Sequence, residues 1–379
     1  MSAEQREAPI VLMASSSVAT RAGSDLYARD LALGLLRNGW RPVVYASRIG
    51  PVAEEIRRAT IPVISDLGAA TMTPDIIHGN HGFELLAAMF RWPDVPAVFV
   101  CHGGLSWDAI PPRLARVRKV VAVDENCRDR VVLEYGVPSD QVSILMNSVD
   151  LVRFARRGTL PEKPRRALVF SNNAHEATFV APIRAACAER GISVDVAGVH
   201  AAPAERPETL LQQYDLVFGK ARCALEALAV GCAAVVCDER GLASYVDSSS
   251  VAPLRRLNFG ARSLQRPVTA ELVGAEIDRY DAADAARVTD IIRDTAGSDL
   301  LARQFADLYD GVIADRATFD RDEELRAASQ YMQKIAGIIF RDGDLTAPPQ
   351  SIRLLRRLAR SRRLAPLLHR VYRALGAPA

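Results

Sequence analysis

The chain has 379 residues, of which 49% are apolar and 25% are charged, a composition typical of a globular protein with two domains of ordinary size. No run reaches the roughly 18 apolar residues of a membrane-spanning helix, and the first residues lack the pattern of a signal peptide, so we expect a cytoplasmic protein. The six cysteines are scattered without a C-x-x-C pair, which disfavours a disulfide framework or a zinc site and favours buried free thiols.

Short apolar runs alternate with helical patterns along the first part of the chain. The run 9–15 predicts a strand, and 23–39 predicts an amphipathic helix that ends at Gly39. The further strands predicted in this part are 41–47, 61–65, 75–79, 97–102, 119–124 and 142–147. Continuous apolar strands separated by helices are typical of a parallel sheet that is covered on both faces.

The alternation restarts after the polar, proline-containing segment 156–167, which has the composition of a linker. The elements predicted next are strands at 167–172, 192–198, 215–219 and 233–238, and helices near 176–190, near 207–213 and beyond about 270. The whole pattern predicts an α/β fold of two doubly wound, Rossmann-like domains, 1–155 and 165–315, that face a cleft. In such open sheets, ligands bind beyond the carboxyl ends of the strands.

Polar residues at the ends of the first-domain strands are candidates for this cleft. Gly23 precedes a helix, where a glycine lets backbone N–H groups approach an anion or a sugar closely. His78, His81 and His102 lie at strand ends, and His102, beside a glycine pair, could hydrogen-bond a sugar hydroxyl or a phosphate. All three histidines have a structural alternative, and Asn147 is a turn residue near the cleft. Because no H-E-x-x-H or H-x-x-E-H pattern is present, we predict no metal site.

The stretch "VFGKARCALEALAVGC" (217–232) predicts a buried strand, a tight turn and a helix of small residues. Lys220 and Arg222 lie at the start of this helix, where the free backbone N–H groups already disfavour positive charge. The placement becomes favourable if an anion such as a diphosphate binds between the cations and the helix end. Glu226, one turn further along, could accept hydrogen bonds from a ribose. The alternative is a surface ion pair between Arg222 and Glu226 that contributes little to stability.

The charge of the chain is concentrated in its last residues. Residues 350–379 hold eight arginines and no acidic residue, so the remainder carries 40 basic against 45 acidic residues. Leucines recur at helical spacing between the arginines, which is typical of a basic amphipathic helix that binds an anionic membrane surface. The alternatives are docking on the protein itself and nucleic-acid binding, although no nucleic-acid motif occurs elsewhere, so we predict no nucleic-acid partner.

Three segments together resemble glycosyltransferase family 4, and the resemblance covers most of residues 8–315. The first, "AGSDLYARDLALGLLRNGWRPVVYAS", resembles the glycine loop and first helix of the family, with Gly23 at its second glycine. The second, "VVAVDENCRDRVVLEYGVPSDQVSILMNSVDLVRF", resembles the run that closes the N-terminal domain. The third, "LEALAVGCAAVVCDERGLASYV", resembles the nucleotide-sugar segment.

The resemblance implies a GT-B fold and a retaining glycosyltransferase with no obligatory metal. It implies that a nucleotide-sugar donor binds to the C-terminal domain and an acceptor to the N-terminal domain, and that the C-terminal helix, 316–349, returns to the N-terminal domain. The acceptor would be a saccharide or a lipid-linked saccharide in cell-surface polysaccharide or glycolipid synthesis. With the tail 350–379, the enzyme would be peripheral at the inner face of the membrane.

The sequence departs from the family at two places that bind the donor. The family carries two glutamates eight positions apart; Glu226 matches the second, which binds the ribose, but the first falls on Phe218. The diphosphate-binding G-R-x(3)-K motif is replaced by "FSNNAHEATF" (170–179), which has no cation. We therefore predict that Lys220 and Arg222 replace the missing cations, and that His102 orients the transferred sugar.

These departures leave two alternatives to a transferase. One is a GT-B-like protein that binds a nucleotide or a sugar without transferring it. The other is a nucleotide-sugar 2-epimerase, which would need acid and base carboxylates in the cleft. An oxidoreductase is disfavoured because the dinucleotide fingerprint G-x-G-x-x-G is absent.

Overall fold

The computed structural model describes residues 8–103, 107–198, 204–315 and 318–342. The chain divides into two compact units, 1–319 and 320–379. In the second unit the described residues form one helix, α12 (Arg321–Asp342), and the basic tail 350–379 lies outside the described residues. No helix in the described ranges is long and apolar enough to cross a membrane.

The first unit begins with a seven-stranded sheet in which every neighbouring pair is parallel. The strand order is β3-β2-β1-β4-β5-β6-β7, so β1 lies inside the sheet between β2 and β4. The strands are β1 (Ile10–Val18), β2 (Arg41–Ile49), β3 (Val63–Ile64), β4 (Ile76–Gly79), β5 (Ala97–Cys101), β6 (Val117–Ala122) and β7 (Val142–Ile144). The helices between them are α1 (Gly23–Arg37), α2 (Pro51–Arg58), α3 (Gly82–Arg91) and α4 (Glu125–Asp129), which continues as a π-helical turn, Arg130–Glu134.

A second sheet of five strands follows in the same unit, with the order β12-β11-β10-β8-β9. Its strands are β8 (Arg166–Phe170), β9 (Ser193–Ala197), β10 (Leu216–Gly219), β11 (Ala233–Asp238) and β12 (Gly241–Tyr245). The helices that follow β8 along the chain are α5 (Ala181–Ala188), α6 (Pro207–Leu210), α7 (Ala221–Val230), α8 (Val251–Arg256), α9 (Ala270–Ile277), α10 (Ala282–Thr295) and α11 (Ser298–Ala314). A π-helical turn, Glu176–Val180, precedes α5.

The predicted class, two doubly wound α/β halves, is confirmed. The sequence analysis missed β12, which pairs antiparallel with β11 at the sheet edge. The reason is that "GLASYV" is short and follows β11 after a two-residue turn, so it reads as an extension of the preceding apolar run. Five of the six cysteines are buried, Cys223 is partly buried, and all are free thiols. The domain boundaries at 155 and 165 stay a prediction.

The chain crosses from one half to the other at two places, and the backbones of these two segments hydrogen-bond to each other. Val149 N–H donates to Ala296 O at 2.8 Å, and Ser298 N–H donates to Val149 O at 3.0 Å. α11 begins at Ser298 and packs against α1 of the first half, although it follows the second sheet in sequence. The second crossing therefore returns the chain to the first half.

Gly34 sets the distance between α1 and α11. A Cβ at this position would lie 2.8 Å from Ala302 Cβ and 3.3 Å from Ser298 O, which is too close for a side chain. Gly311, further along α11, has open space in front of its α-carbon. The two glycines therefore form a matched pair for testing the contact.

Gly34→Ala should lower the free energy of unfolding by about 1–3 kcal/mol because the added methyl group overpacks the helix contact. Gly311→Ala, the control, should raise it by up to about 1 kcal/mol because alanine is the better helix former. Urea denaturation of both variants measures the difference. Equal effects of the two substitutions would contradict the close contact of α1 with α11.

Candidate functional site

Two adjoining cavities lie at the carboxyl ends of both sheets. The larger has a volume of about 600 Å³, and the smaller has a volume of about 200 Å³. Gly23, at the start of α1, and Ala221 and Arg222, at the start of α7, line both of them. The site therefore lies where two helices, one from each half, point their N-termini at the same space.

The backbone is strained where the start of α7 meets the segment that follows α8. Four non-glycine residues in the described ranges have a positive φ, and three of them, Ala221 (φ 47°), Asn258 (φ 54°) and Phe259 (φ 49°), lie here. The Ala221 N–H donates to Phe259 O at 2.9 Å, which ties the two strained segments together. Each such residue costs roughly 1–3 kcal/mol, and strained residues of this kind cluster at functional sites.

Arg222 is held by two carboxylates from opposite sides of the cleft. Its Nε donates to Glu226 Oε1 at 2.6 Å within α7, and its Nη2 donates to Asp30 Oδ2 of α1 at 2.5 Å. Asp30 and Glu226 are both about 95% buried. Burial alone would raise the pKa of Asp30, but the charges of Arg222 and Arg29 outweigh it and hold this pKa below its usual value. At Glu226 burial is the stronger effect, and the pKa is raised.

The ion pairs continue from Asp30 across the first half. Arg29 Nη2 donates to Asp30 Oδ1 at 2.6 Å, and Arg29 Nη1 donates to Glu55 Oε2 at 2.5 Å. Arg21 Nη1 donates to Glu55 Oε1 at 2.7 Å. Guanidinium and carboxylate groups alternate along this series of ion pairs, so each buried charge in the series has a partner of opposite sign.

The other cations on the wall of the larger cavity are paired as well. Lys220, the N-cap of α7, forms an ion pair with the fully buried Asp238, and its side chain makes no capping hydrogen bond to the helix. Arg153 donates to Glu208 Oε2 at 2.9 Å. The predicted cations Lys220 and Arg222 thus line the larger cavity, where each has a carboxylate partner, and their binding of a diphosphate stays a prediction.

Two residues that line the smaller cavity each carry a buried polar atom without a partner. Tyr27 Oη and Asn258 Oδ1 are buried and make no hydrogen bond within the described residues. Burial raises the pKa of Tyr27, so its hydroxyl stays protonated. Each buried polar atom left unpaired costs about 1–3 kcal/mol, so these two atoms destabilise the wall of the smaller cavity.

The predicted cleft histidines separate into one cavity residue and two packed ones. His102 lines the smaller cavity, and the ring of Tyr27 contacts it edge-on with 4.5 Å between the centroids. His78 is fully buried, and its two nitrogens lie 2.5 Å from Tyr309 Oη and 3.1 Å from Asn80 Oδ1. His81 Nδ1 accepts from the Ser16 N–H at 3.0 Å. His78 and His81 thus match their structural alternative.

Asn147 lines the smaller cavity, and its backbone carbonyl accepts a hydrogen bond from Arg255. Arg255 lies in the last turn of α8 and is 6% exposed. Its Nε and Nη1 have no hydrogen-bond partner, and no carboxylate among the described residues pairs with it. Burial lowers its pKa to about 10. A buried cation therefore lies directly behind the part of the cavity wall that Asn147 forms.

The two departures from the family pattern have clear positions. Phe218 is fully buried in β10 and packs within the core of the second sheet, so no polar group reaches the cavity from there. The loop after β8 lines the larger cavity with Ser171, Asn172 and Asn173. It contributes amide and hydroxyl groups where the family motif has cations.

Sequence reasoning missed Tyr27, Asp30 and Asn258. Tyr27 and Asp30 belong to the α1 pattern, where their spacing made them ordinary helix residues. Asn258 lies between α8 and the following turn, and nothing in its neighbours signals a left-handed backbone. The role of Asp30 is to pair with Arg222, which lies 192 residues further along the chain, and this pairing can be recognised only once the fold is known.

Comparison with known proteins agrees with this architecture. The model of Glycosyltransferase Family 4 matches residues 22–153. A glycosyltransferase from Rickettsia africae is similar over 82% of this chain and 99% of its own, with a TM-score of 0.60 and 12% identity. Anabaena HepE in complex with UDP is similar over 80% of this chain and 100% of its own, with a TM-score of 0.59 and 14% identity.

The chain has the GT-B fold. The resemblance to glycosyltransferase family 4 is confirmed, with the family match on the first half of the chain. Family match and fold together support sugar transfer in general. HepE is also known in complex with UDP and glucose, and that structure is similar with a TM-score of 0.56. No curated protein matches this sequence. Within the described ranges, no group of three or more His, Cys, Asp or Glu side chains could hold a metal ion.

Ala221→Gly should raise the free energy of unfolding by about 1 kcal/mol, because glycine adopts a positive φ without the clash of a Cβ. Ala283→Gly, an exposed position near the start of α10, is the control and should lower it by up to about 1 kcal/mol. Chemical denaturation of both variants measures the two signs. A loss of stability in Ala221→Gly would contradict strain at the start of α7.

Proposed function

We propose that this GT-B protein is a retaining glycosyltransferase whose nucleotide-sugar donor occupies both cavities. The nucleoside diphosphate would lie in the larger cavity and the transferred sugar in the smaller one. The observation that carries this proposal is that the uncapped N-terminus of α7 lies with Lys220 and Arg222 on the wall of the larger cavity. A diphosphate supplies the negative charge that a helix N-terminus and two cations attract.

The diphosphate would bind at the start of α7 between Lys220 and Arg222. The N-terminus of α7 has no capping side chain and carries the partial positive charge of a helix N-terminus. Arg222 is held by Asp30 in the state described above, so donor binding requires an exchange of partners. A diphosphate carries more negative charge than one carboxylate, which favours the exchange at Arg222.

Glu226 would accept hydrogen bonds from the ribose. Its Oε1 accepts from Arg222, and it lines the larger cavity one helical turn beyond the proposed phosphates. This agrees with the role that the family resemblance implies for the second glutamate.

Transfer would depend on stabilising the leaving diphosphate. Lys220, Arg222 and the N–H groups of α7 would take up negative charge as the sugar–phosphate bond breaks. The acceptor hydroxyl would attack from the same face, as a retaining enzyme requires, and His102 would orient the sugar. The acceptor class is a saccharide or a lipid-linked saccharide, and membrane binding through 350–379 stays a prediction on residues outside the described ranges.

The position of Phe218 favours one second candidate, a protein that binds the nucleotide sugar without transfer. A phenylalanine sealed in the core cannot make the contact to the donor sugar that the first glutamate of the family makes. The epimerase alternative finds less support. It needs two carboxylates at the sugar, whereas Asp30 is the one acidic residue among the described residues that line the smaller cavity, and two arginines hold it.

Lys220→Ala with Arg222→Ala should weaken the binding of nucleotide sugars by about a hundredfold or more, since each charge-assisted contact to a phosphate contributes roughly 1.5–3 kcal/mol. Isothermal titration with a panel of nucleotide sugars measures the affinity. The control is Arg156→Ala with Lys163→Ala, which removes the same charge from two exposed positions outside both cavities.

Unchanged affinity in the Lys220 and Arg222 double variant would overturn the proposed diphosphate site. Turnover then separates the two candidate functions. With the donor that binds, a transferase consumes the nucleotide sugar in the presence of saccharide acceptors or slowly by hydrolysis. A binding protein holds the donor and leaves it intact.

A further inference from the structure

The amide of Asn80 joins the imidazoles of His78 and His102 at the end of β4. Its Oδ1 lies 3.1 Å from His78 Nε2 and 2.7 Å from His102 Nε2. Its Nδ2 donates to Ser15 Oγ of β1 at 2.9 Å. Asn80 is 2% exposed, and the Ser15 and His78 side chains are buried with it. The amide is therefore fixed on both sides by groups of the sheet.

The orientation of this amide decides where both imidazoles carry their proton. An amide oxygen is an acceptor with two lone pairs, so each histidine must donate to it from a protonated Nε2. At His78 the remaining nitrogen, Nδ1, accepts from the Tyr309 hydroxyl at 2.5 Å. At His102 the remaining Nδ1 keeps a free lone pair, because no described residue donates to it.

We propose that Asn80 is a positioning residue that fixes His102 as a hydrogen-bond acceptor, so that His102 Nδ1 binds a hydroxyl group of the sugar and not a phosphate oxygen. This inference rests on the proposed function, since it assigns a task to a side chain of the smaller cavity. It also decides between the two interactions that the sequence left open for His102. An imidazole with a bare Nδ1 repels a phosphate oxygen and attracts a hydroxyl proton.

The surroundings of His102 keep its imidazole neutral. The groups that face it are His78 across Asn80, His81 with 6.5 Å between the ring centroids, and Tyr27 at 4.5 Å. Among these neighbours, His81 has a carboxylate close to it, since Asp108 Oδ2 lies 3.9 Å from His81 Nε2. Burial, with a smaller effect from His81 and His78, lowers the pKa of His102 well below its usual value. A neutral ring is the form that can accept a proton from a hydroxyl group.

The tautomer can be measured without any ligand. In protein labelled with ¹⁵N at histidine, the nitrogen shifts distinguish a protonated Nε2 from a protonated Nδ1, and the spectrum of His102→Gln assigns the His102 signals. The wild type should show His102 protonated at Nε2. A protonated Nδ1 in the wild type would overturn the inference.

Two variants at Asn80 test the cause. Asn80→Ala should leave His102 as a mixture of tautomers, because nothing then selects Nε2. Asn80→Asp keeps the shape and adds a charge, which should raise the pKa of His102 by about 1–3 units, so that Nδ1 becomes a donor at a higher pH than in the wild type. Asn126→Asp, on α4 and outside both cavities, adds the same charge as a control and should change neither. An unchanged tautomer in Asn80→Ala together with an unchanged pKa of His102 in Asn80→Asp would overturn the inference. If Asn80→Ala does not fold, the pKa of His102 in Asn80→Asp decides.

The dependence of donor binding on pH links the tautomer to the sugar. As the pH falls, Asn80→Asp should lose affinity for the nucleotide sugar at a higher pH than the wild type, because protonation of His102 removes the acceptor at Nδ1. The affinity for the nucleoside diphosphate without a sugar should not change. A loss that is equal for both ligands, or independent of pH, would contradict the inference. A wild type that binds neither ligand would overturn the proposed function, and the nitrogen spectra would still report on Asn80.

Discussion

The ion pair between Asp30 and Arg222 is the contact on which the arrangement of the site depends. It joins the first helix of one half to the first turn of α7 in the other, over a separation of 192 residues. Both partners are largely buried and are satisfied a second time, Asp30 by Arg29 and Arg222 by Glu226. Removing one member of such a buried set costs about 3–5 kcal/mol. The pair therefore holds the two halves, and with them the two cavities, in one arrangement.

The same pair gives the site a means of responding to a ligand. Arg222 lines both cavities, so a charged group that enters either one competes with Asp30 for it. The positive φ angles around Ala221 and the unpaired Tyr27 Oη and Asn258 Oδ1 raise the free energy of this part of the structure. The paired crossings at Val149 and Ala296 are the places where the backbone connects the halves.

Much of the fold was predictable, because continuous apolar strands alternating with helices leave few other architectures. The site was predictable where it follows the strand-end rule, as for Gly23, His102, Lys220 and Arg222, which all line a cavity. The partners of the two cations were not predictable, since Asp30 and Asp238 meet them only through the fold. The left-handed backbone at Asn258 and the orientation of the Asn80 amide also depend on tertiary contacts that no local pattern records.

The central claim is that Arg222 passes from Asp30 to the donor diphosphate, and calorimetric titration of Asp30→Asn with a nucleotide sugar tests it most directly. The account predicts a less stable protein that binds the donor about tenfold more tightly, because about 1.4 kcal/mol of competition for Arg222 is removed. Glu55→Gln removes the same charge from the network without touching Arg222 and should leave the affinity unchanged. A folded Asp30→Asn protein that binds the donor as weakly as the wild type, or more weakly, would contradict the account.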